Sequence, residues 1–302
     1  MSLKYYKKLE TEFLEKIPPY PEGVFEGKGI VTACGSRECF YVGAYVMINL
    51  LRYFGCYLPV EVWKFDWEKD DKWDKIFNDL DGVVVKYYDK KIAEVDRKGW
   101  SLKPFAIRES SFKEVLFLDS DVAPAKNPEY LFDYEPYKEK GSIFWSDTCR
   151  THAKARPTDK NKSRDAFWHL AECEEINERE FESGQVLINK EKCWQEINLT
   201  CHYNQHADWY YKLFLGDKET FHLAWRRLKK DCVFFQNSTS ENVPGGKYFY
   251  QYDWNNELVF QHRSGNKFWL KNNLLTPEFV EQEKILEFIS DLNRIIDNFN
   301  II

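Results

Sequence analysis

Two carboxylates separated by one residue follow a short apolar segment near the middle of the chain. The segment Glu114–Leu118 reads EVLFL, and Asp119, Ser120 and Asp121 come directly after it. A short apolar run of this kind is typical of a buried strand, so Asp119 lies where the strand ends. Hard divalent cations prefer oxygen ligands such as two carboxylates held close together. The sequence therefore predicts a metal site at Asp119 and Asp121 that can neutralise a diphosphate.

The same spacing of aspartates occurs a second time, in a different context. Asp79 and Asp81 flank Leu80 at the end of a helical pattern with one polar face. A helix end on the protein surface does not bring carboxylates to a ligand-binding edge of a sheet. We therefore assign the metal site to the copy at Asp119.

A second group of polar residues follows the last predicted strand, in the segment QHRSGNKFW. His262 can offer an imidazole nitrogen to a metal ion. Gly265 allows the backbone to approach a phosphate closely, and Lys267 adds a positive charge. We expect this segment to complete the metal and phosphate site begun by the aspartates.

Alternating strand and helix patterns predict the elements that position these residues. Strands are predicted at 28–35, 59–65, 82–88, 114–119, 141–145, 183–189 and 257–262, and helices at 42–55, 67–80, 103–112, 191–204, 216–230 and 277–298. Strands that alternate with helices favour an α/β fold with a mainly parallel sheet, and ligands bind such sheets at the carboxyl ends of the strands. The polar stretch 147–180 is weakly periodic, and we expect a mobile loop there.

Composition excludes some partners. The net charge of −6 and the pI of about 5.7 leave no basic face for a nucleic acid. The first residues lack the apolar stretch of a signal peptide, and no run approaches the length of a membrane span. The eight cysteines include no CxxC pair, which favours reduced thiols. From these features we expect a soluble, cytoplasmic chain, and its oligomeric state stays open.

Several longer phrases resemble known families when they are taken in chain order. FKEVLFLDSDVAPAKNPEYLF, GSIFWSD, FESGQVLINK, GDKETFHLAW and HRSGNKFW are similar to the fungal-type alpha-mannosyltransferase group and the related glycogenin-like family 8 glycosyltransferases. The resemblance runs from Gly29 to Trp269. It implies a GT-A (Rossmann-like) fold, a mixed and mainly parallel central sheet flanked by helices. It also implies a retaining glycosyltransferase, with Mn²⁺ or Mg²⁺ bound by Asp119, Asp121 and His262.

The resemblance also implies roles for individual residues. Donor-binding positions would be Lys103, Asp119, Ser120, Asp121, Trp145, Asp147, Gly184, Gly265 and Lys267, and Glu182, Gln185 and Asp217 would lie where reaction occurs. Ser183 would line the same face, and Lys218 would accompany Asp217 near the acceptor. Glycogenin-like enzymes have H-x-x-G-x-x-K-x-W, and the segment from His262 to Trp269 is one residue shorter.

The donor, the route and the acceptor stay open at this point. The first resemblance implies GDP-mannose and the second a UDP-hexose, and we favour mannose. Retention could proceed by same-face attack of the acceptor hydroxyl, or through a covalent intermediate on Glu182 or Asp217. The acceptor would be a glycan or another hydroxyl compound. We expect an N-terminal helical extension at 1–28, a catalytic domain at 29–270 and a C-terminal helix at 271–302 packed on it.

Four other interpretations have less support. Cys201, His202 and His206 resemble part of a zinc site, but no HExxH motif is present. PGGKYF lacks the Ser or Thr and the upstream glycine of a phosphate loop. A nucleotidyltransferase would carry more basic residues than Arg37 after the first strand. A non-catalytic carbohydrate-binding protein would explain the aromatic residues but not the metal ligands.

Overall fold

A seven-stranded sheet forms the centre of the computed structural model, which describes residues 3–90, 99–150, 164–214, 216–271, 273 and 279–299. Its strands are β1 (Lys28–Ala33), β2 (Val60–Phe65), β3 (Val83–Tyr88), β4 (Glu114–Leu118), β6 (Ser142–Arg150), β7 (Arg179–Asn189) and β8 (Val233–Phe235), in the order β3-β2-β1-β4-β7-β6-β8. Strands β3, β2, β1 and β4 are parallel, β7 is antiparallel to β4 and β6, and β8 is parallel to β6. The mixed, mainly parallel sheet is thereby confirmed.

A smaller antiparallel sheet begins directly after residues 119–121, which we call the aspartate turn. It consists of β5 (Val122–Pro124), β9 (Thr239–Val243), β10 (Gly246–Tyr252) and β11 (Leu258–Ser264), in the order β5-β11-β10-β9. Because β5 begins one residue after Asp121, the turn at 119–121 joins the two sheets. Residues on β11 can therefore approach the carboxyl end of β4.

Helices cover both faces of the central sheet. They are α1 (Leu3–Leu14), α2 (Glu38–Tyr53), α3 (Asp71–Asn78), α4 (Leu102–Glu109), α5 (Glu135–Lys140), α6 (Arg164–Ala171), α7 (Trp194–Gln205), α8 (Ala207–Leu213), α9 (Asp217–Arg227) and α10 (Gln282–Phe299), with 3₁₀ turns at Asp66–Glu68 and Pro128–Asp133. Neighbouring residues of β4 face opposite cores: Leu116 packs with α2, α10 and the small sheet, and Phe117 packs with α1, α4, α7 and α9. A strand covered on both faces is apolar throughout, which is why EVLFL does not alternate.

One expectation about the second half of the chain is wrong, and one hairpin there was not predicted. The stretch 147–180 is not a continuous loop, because β6 extends to Arg150, α6 occupies Arg164–Ala171 and β7 begins at Arg179. Residues 151–163 lie outside the described residues. The hairpin of β9 and β10 was not predicted, although Pro244 and Gly245 form its two-residue turn and Gly245 has a φ of 85°. The predicted C-terminal helix is confirmed from Gln282 onward.

Within the described ranges, no helix is both long enough and apolar enough to traverse a bilayer.

Candidate active site

The turn after β4 is held by backbone contacts from both sheets. The backbone N–H of Asp119 donates to the carbonyl of Gly184 on β7, with 2.7 Å between nitrogen and oxygen. The carbonyl of Asp121 accepts from the backbone N–H of Arg263 on β11 at 2.9 Å. These bonds fix the backbone of the turn that carries both carboxylates.

Asp119, Asp121 and His262 form a cluster suited to a metal ion. One potential ligand atom from each residue lies within 4.8 Å of the others, and no second group of three such residues occurs in the described ranges. His262 Nε2 is 3.3 Å from Asp121 Oδ1, whereas His262 Nδ1 is buried and has no hydrogen-bond partner among the residues that the structure describes. Two carboxylates and an imidazole suit Mn²⁺ or a similar divalent cation. The residues present therefore fit the metal expected from the sequence.

Lys103 on α4 links this cluster to α9. Its Nζ lies 3.0 Å from Asp119 Oδ2 and 2.8 Å from Asp217 Oδ2, and it donates to the carbonyl and hydroxyl oxygens of Ser183, each at 2.9 Å. Burial alone would lower the pKa of Lys103, but the charges of Asp119 and Asp217 outweigh it and raise the pKa. Burial raises the pKa of Asp119, against the lowering effect of Lys103.

Lys267 provides a second cation at the aspartate turn. Its Nζ contacts Asp121 Oδ2. The shortened segment before it bends at Gly265, which has a φ of 104°, and a Cβ there would lie 2.7 Å from Gly246 Cα. Glycine is thus required at this position by both conformation and space. The segment still brings Lys267 to the site although it is one residue shorter than in glycogenin-like enzymes.

A further group of charges lies at the start of α9. Lys218 Nζ lies 2.5 Å from Asp147 Oδ2 and 2.7 Å from Glu180 Oε2, and these carboxylates raise its pKa although burial opposes them. Ser183 donates its hydroxyl to Asp217 at 2.8 Å. The same carboxylate oxygen of Asp217, Oδ2, therefore contacts both Lys103 and Ser183.

Glu182 is oriented by its own strand. One carboxylate oxygen, Oε1, accepts from the backbone N–H groups of Ser183 and Gly184, both at 3.0 Å. The same oxygen is 3.7 Å from His262 Nδ1. Gly184 is needed for this arrangement, because a Cβ there would lie 2.9 Å from His262 Nδ1.

One cavity of about 600 Å³ joins these groups. Its lining includes the following predicted residues: Lys103, Asp119, Ser120, Asp121, Asp147, Glu182, Asp217, His262, Gly265 and Lys267. Gly184 lies behind His262 and does not line the cavity. The other two predicted residues that the structure does not bring to the cavity are Trp145 and Gln185.

Trp145 and Gln185 are fully buried inside the protein. Trp145 donates its indole N–H to the carbonyl of Tyr252 at 3.0 Å and packs edge-on against Phe260. Gln185 lies opposite Leu118 in the β4–β7 pair, and its amide has no hydrogen-bond partner among the described residues. Trp145 therefore packs beneath the site, whereas the role in the reaction expected of Gln185 stays a prediction.

The cavity lining also includes residues that sequence reasoning did not assign to the site, among them Glu68, Trp100, Lys247 and Phe249. Glu68 follows β2 as Asp119 follows β4, so the strand-end rule that located Asp119 could have found it. Lys247 and Phe249 lie on β10, in the hairpin that was not predicted. Trp100 precedes α4, and its ring lies against Gly216, where a Cβ would be 2.9 Å from the indole.

The histidines considered for a zinc site have a packing role. The His202 ring stacks on Phe13 of α1 with 4.5 Å between centroids, and burial lowers the pKa of His202 to about 3. The His206 ring meets Tyr6 edge-on. The two histidines help to attach α1 to α7.

Residues 27–251 match the protein family described as "Mannosyltransferase putative". The chain belongs to this family. The match contains all the predicted site residues except His262, Gly265 and Lys267. The resemblance to mannosyltransferases seen in the sequence is thereby confirmed.

Two alpha-1,2-mannosyltransferases agree with the family match. Alpha-1,2-mannosyltransferase MNN24 of Candida albicans is 31% identical over 277 residues, covering 76% of this chain and 38% of the relative. Alpha-1,2-mannosyltransferase MNN2 of Saccharomyces cerevisiae is 30% identical over 265 residues, covering 74% and 44%. The solved mannosyltransferase Ktr4p of S. cerevisiae shares 13% identity over 74% of each chain, with a TM-score of 0.44. The chain spans roughly two fifths of the length of the curated relatives it matches.

Proposed function

We propose that this chain transfers mannose from GDP-mannose to a hydroxyl group of a glycan, with retention of configuration and with a divalent cation at Asp119, Asp121 and His262. The observation that carries the proposal is the convergence of these three ligands with Lys103 and Lys267 on one cavity. Membership of a mannosyltransferase family supports the choice of sugar.

The leaving group would be a nucleoside diphosphate, and its charge must be stabilised as the glycosidic bond breaks. A cation held by the three ligands would supply part of that stabilisation when bound. Lys267 would bind a diphosphate oxygen as a point charge, because its amine already lies beside Asp121. Gly265 would allow the adjoining backbone to approach the same phosphate.

The mannose ring would lie between the metal cluster and the start of α9. Asp147 and Asp217 offer carboxylate oxygens to sugar hydroxyls there, and both already accept from lysines. Because Lys103 neutralises Asp217, that carboxylate is a weak nucleophile. If a covalent route operates, Glu182 is the better candidate, since its Oε2 is not among the atoms held by the strand backbone. Same-face attack by the acceptor hydroxyl requires neither carboxylate as a nucleophile.

We propose residues 29–270 as the catalytic domain, with helices α1 and α10 packed on opposite faces of its sheet. The acceptor would be a glycan hydroxyl that enters beside Trp100 and Phe249, because both aromatic side chains line the cavity.

The proposal is tested by the melting temperature of the protein with GDP, UDP and CDP, each with and without Mn²⁺. A ligand at 100 times its Kd stabilises the folded state by about 2.7 kcal/mol. We expect the largest rise with GDP, and only when Mn²⁺ is present. A rise with UDP alone would support a UDP-hexose donor instead. No rise with any nucleotide would overturn the proposal and favour a carbohydrate-binding protein.

A further inference from the structure

The cavity extends across three neighbouring strand ends of the central sheet. Asp119 follows β4, Gly35 follows the adjacent β1, and Glu68 follows β2 on the far side of β1. All three residues line the same cavity. Neighbouring strands are about 4.8 Å apart, so β2 lies roughly 10 Å from β4.

A nucleoside diphosphate bound at the aspartate turn has to place its base along this edge. On the β7 side, the cavity is lined by the charged groups of Lys103, Asp217 and Lys218. On the β1 side its lining includes Gly35, Phe40 and Arg37, whose guanidinium carbon lies 5.7 Å from the centre of the Phe40 ring. Lys267 Nζ is 5.9 Å from the centre of the Phe40 ring, so an aromatic surface adjoins the lysine that faces the diphosphate. The base therefore fits toward β1 and β2.

Glu68 lies at the β2 end of the cavity. Its Oε2 accepts from the backbone N–H of Phe65 at 3.2 Å, and its Oε1 accepts from the hydroxyl of Ser36. The carboxylate lies against Gly35, where a Cβ would be 2.4 Å from Oε2. Each carboxylate oxygen has two lone pairs, so both oxygens can accept another hydrogen bond. The group faces the cavity as an acceptor with a fixed orientation.

We propose that Glu68 selects guanine as the base of the donor. The inference rests on the proposed function, because it requires a nucleoside diphosphate in the cavity. Guanine presents two N–H donors, N1 and N2, side by side on one edge, and a carboxylate accepts both at once. Uracil presents one N–H between two carbonyl oxygens, which repel a carboxylate. Cytosine has no ring N–H on its pairing edge.

The test measures the affinity of GDP, IDP and UDP by calorimetry in the presence of Mn²⁺. IDP is GDP without the N2 amine, so the ratio of GDP to IDP affinity isolates one contact. Glu68→Gln keeps one oxygen that can accept from the Phe65 N–H, and its NH2 group can donate to the Ser36 hydroxyl oxygen, but it loses the charge and one acceptor atom. A bidentate contact of this type discriminates roughly 10- to 100-fold, and we expect Glu68→Gln to weaken GDP by that factor. UDP should bind the variant as well as the parent or better, because the glutamine amide can donate to a uracil carbonyl.

Asp66→Asn is the matched control, since Asp66 lies on the same 3₁₀ turn with its side chain exposed. It should leave all three affinities unchanged. Gly35→Ala is a second variant, which displaces the Glu68 carboxylate without removing it and should also weaken GDP more than UDP. Unchanged GDP/UDP and GDP/IDP ratios in Glu68→Gln would overturn the role of Glu68 while leaving the transferase intact. Failure of the parent protein to bind any of the three nucleotides would overturn the proposed function as well.

Discussion

Asp119 and Asp121 share one turn but belong to two different surroundings. Asp119 is paired with Lys103 beneath the central sheet edge, whereas Asp121 faces Lys267 and His262 from the small sheet. Each carboxylate thus already has a cationic neighbour in the absence of a metal. A divalent cation has to compete with these lysines, and a diphosphate can draw one of them away.

The first prediction concerns the aspartate turn. Losing a residue that only supports a metal ligand typically lowers metal affinity by roughly 10- to 100-fold. Asp121→Ala should lower Mn²⁺ affinity by more than this, because it removes a ligand itself. Isothermal calorimetry with Mn²⁺ measures this directly. Asp79→Ala is the control, since Asp79 ends α3 on the surface and pairs with Lys75. Equal Mn²⁺ affinity in both variants would contradict the metal assignment.

Lys267 gives the second prediction. In Lys267→Met, Mn²⁺ alone should bind as tightly as in the parent or more tightly, because the competing cation at Asp121 is gone. GDP in the presence of Mn²⁺ should bind more weakly, because a positive charge at the diphosphate is lost. Titrations with metal alone and with metal plus GDP separate the two effects. Lys271→Met, an exposed lysine nearby, should change neither, and a parallel loss of both affinities in Lys267→Met would count against the account.

Residue type and strand position were sufficient to predict that the residues of the candidate metal site lie close together. Asp119 and Asp121 come after an apolar strand, and His262 and Lys267 lie in one short segment, so local sequence located them. The contact between Lys218 and Glu180 could not be predicted, because it depends on how α9 packs against β7. Glu68 was assigned to the inside of a predicted helix, although α3 begins only at Asp71.

At the level of elements, α2 and the aspartate turn are packed closely together. Gly43 lies within α2, and a Cβ there would come within 2.3 Å of the carbonyl oxygen of Ser120. Glycine in a helix normally costs about 1 kcal/mol relative to alanine. Its presence at this position permits the close approach of the helix to the turn that carries Asp119 and Asp121.

The third prediction follows from that contact. Gly43→Ala should lower the free energy of unfolding by about 1–3 kcal/mol, as overpacking does, instead of raising it as helix propensity would suggest. It should also weaken Mn²⁺ binding, because the turn has to move. Chemical denaturation and metal titration of the same variant provide both readouts. A more stable variant with normal Mn²⁺ affinity would show that packing against α2 does not fix the position of the turn.

The elements themselves were predicted unevenly, for physical reasons. The parallel strands β1 to β4 and their helices have clear periodicity and glycine stops, and all were located. Strand β9 is mostly exposed or half-buried and β10 is only partly buried, so their pattern is weak, and the Pro244–Gly245 turn was the available signal. The extent of β7 was underestimated because polar residues such as Glu180 and Glu182 are buried at the site.

On the scale of the whole molecule, α1 is attached to the core by a buried ion pair. Glu10 Oε1 accepts from Arg227 on α9 at 2.6 Å, and Glu10 Oε2 accepts from the hydroxyl of Tyr203 on α7 at 3.2 Å. The Tyr6 ring stacks on Trp209 at 4.1 Å between centroids. The N-terminal helix therefore supports the two helices behind the active site.

The fourth prediction tests this attachment. Glu10→Ala should lower the free energy of unfolding by about 2 kcal/mol, less than for a fully buried pair, because Arg227 keeps a contact with Glu172. Glu12→Ala, on the same helix with a side chain that is 45% exposed, should have little effect. Urea unfolding of both variants measures the difference. Equal stabilities would mean that α1 contributes little to the fold.

The most direct test of the central claim is transfer of radiolabelled mannose from GDP-mannose to a mannoside acceptor, measured with Mn²⁺ and again with excess EDTA. We expect transfer with Mn²⁺, loss of transfer with EDTA, and no transfer by Asp121→Ala under either condition. Transfer that continues undiminished in EDTA, or an Asp121→Ala variant that retains the activity of the parent, would contradict the metal-dependent mechanism.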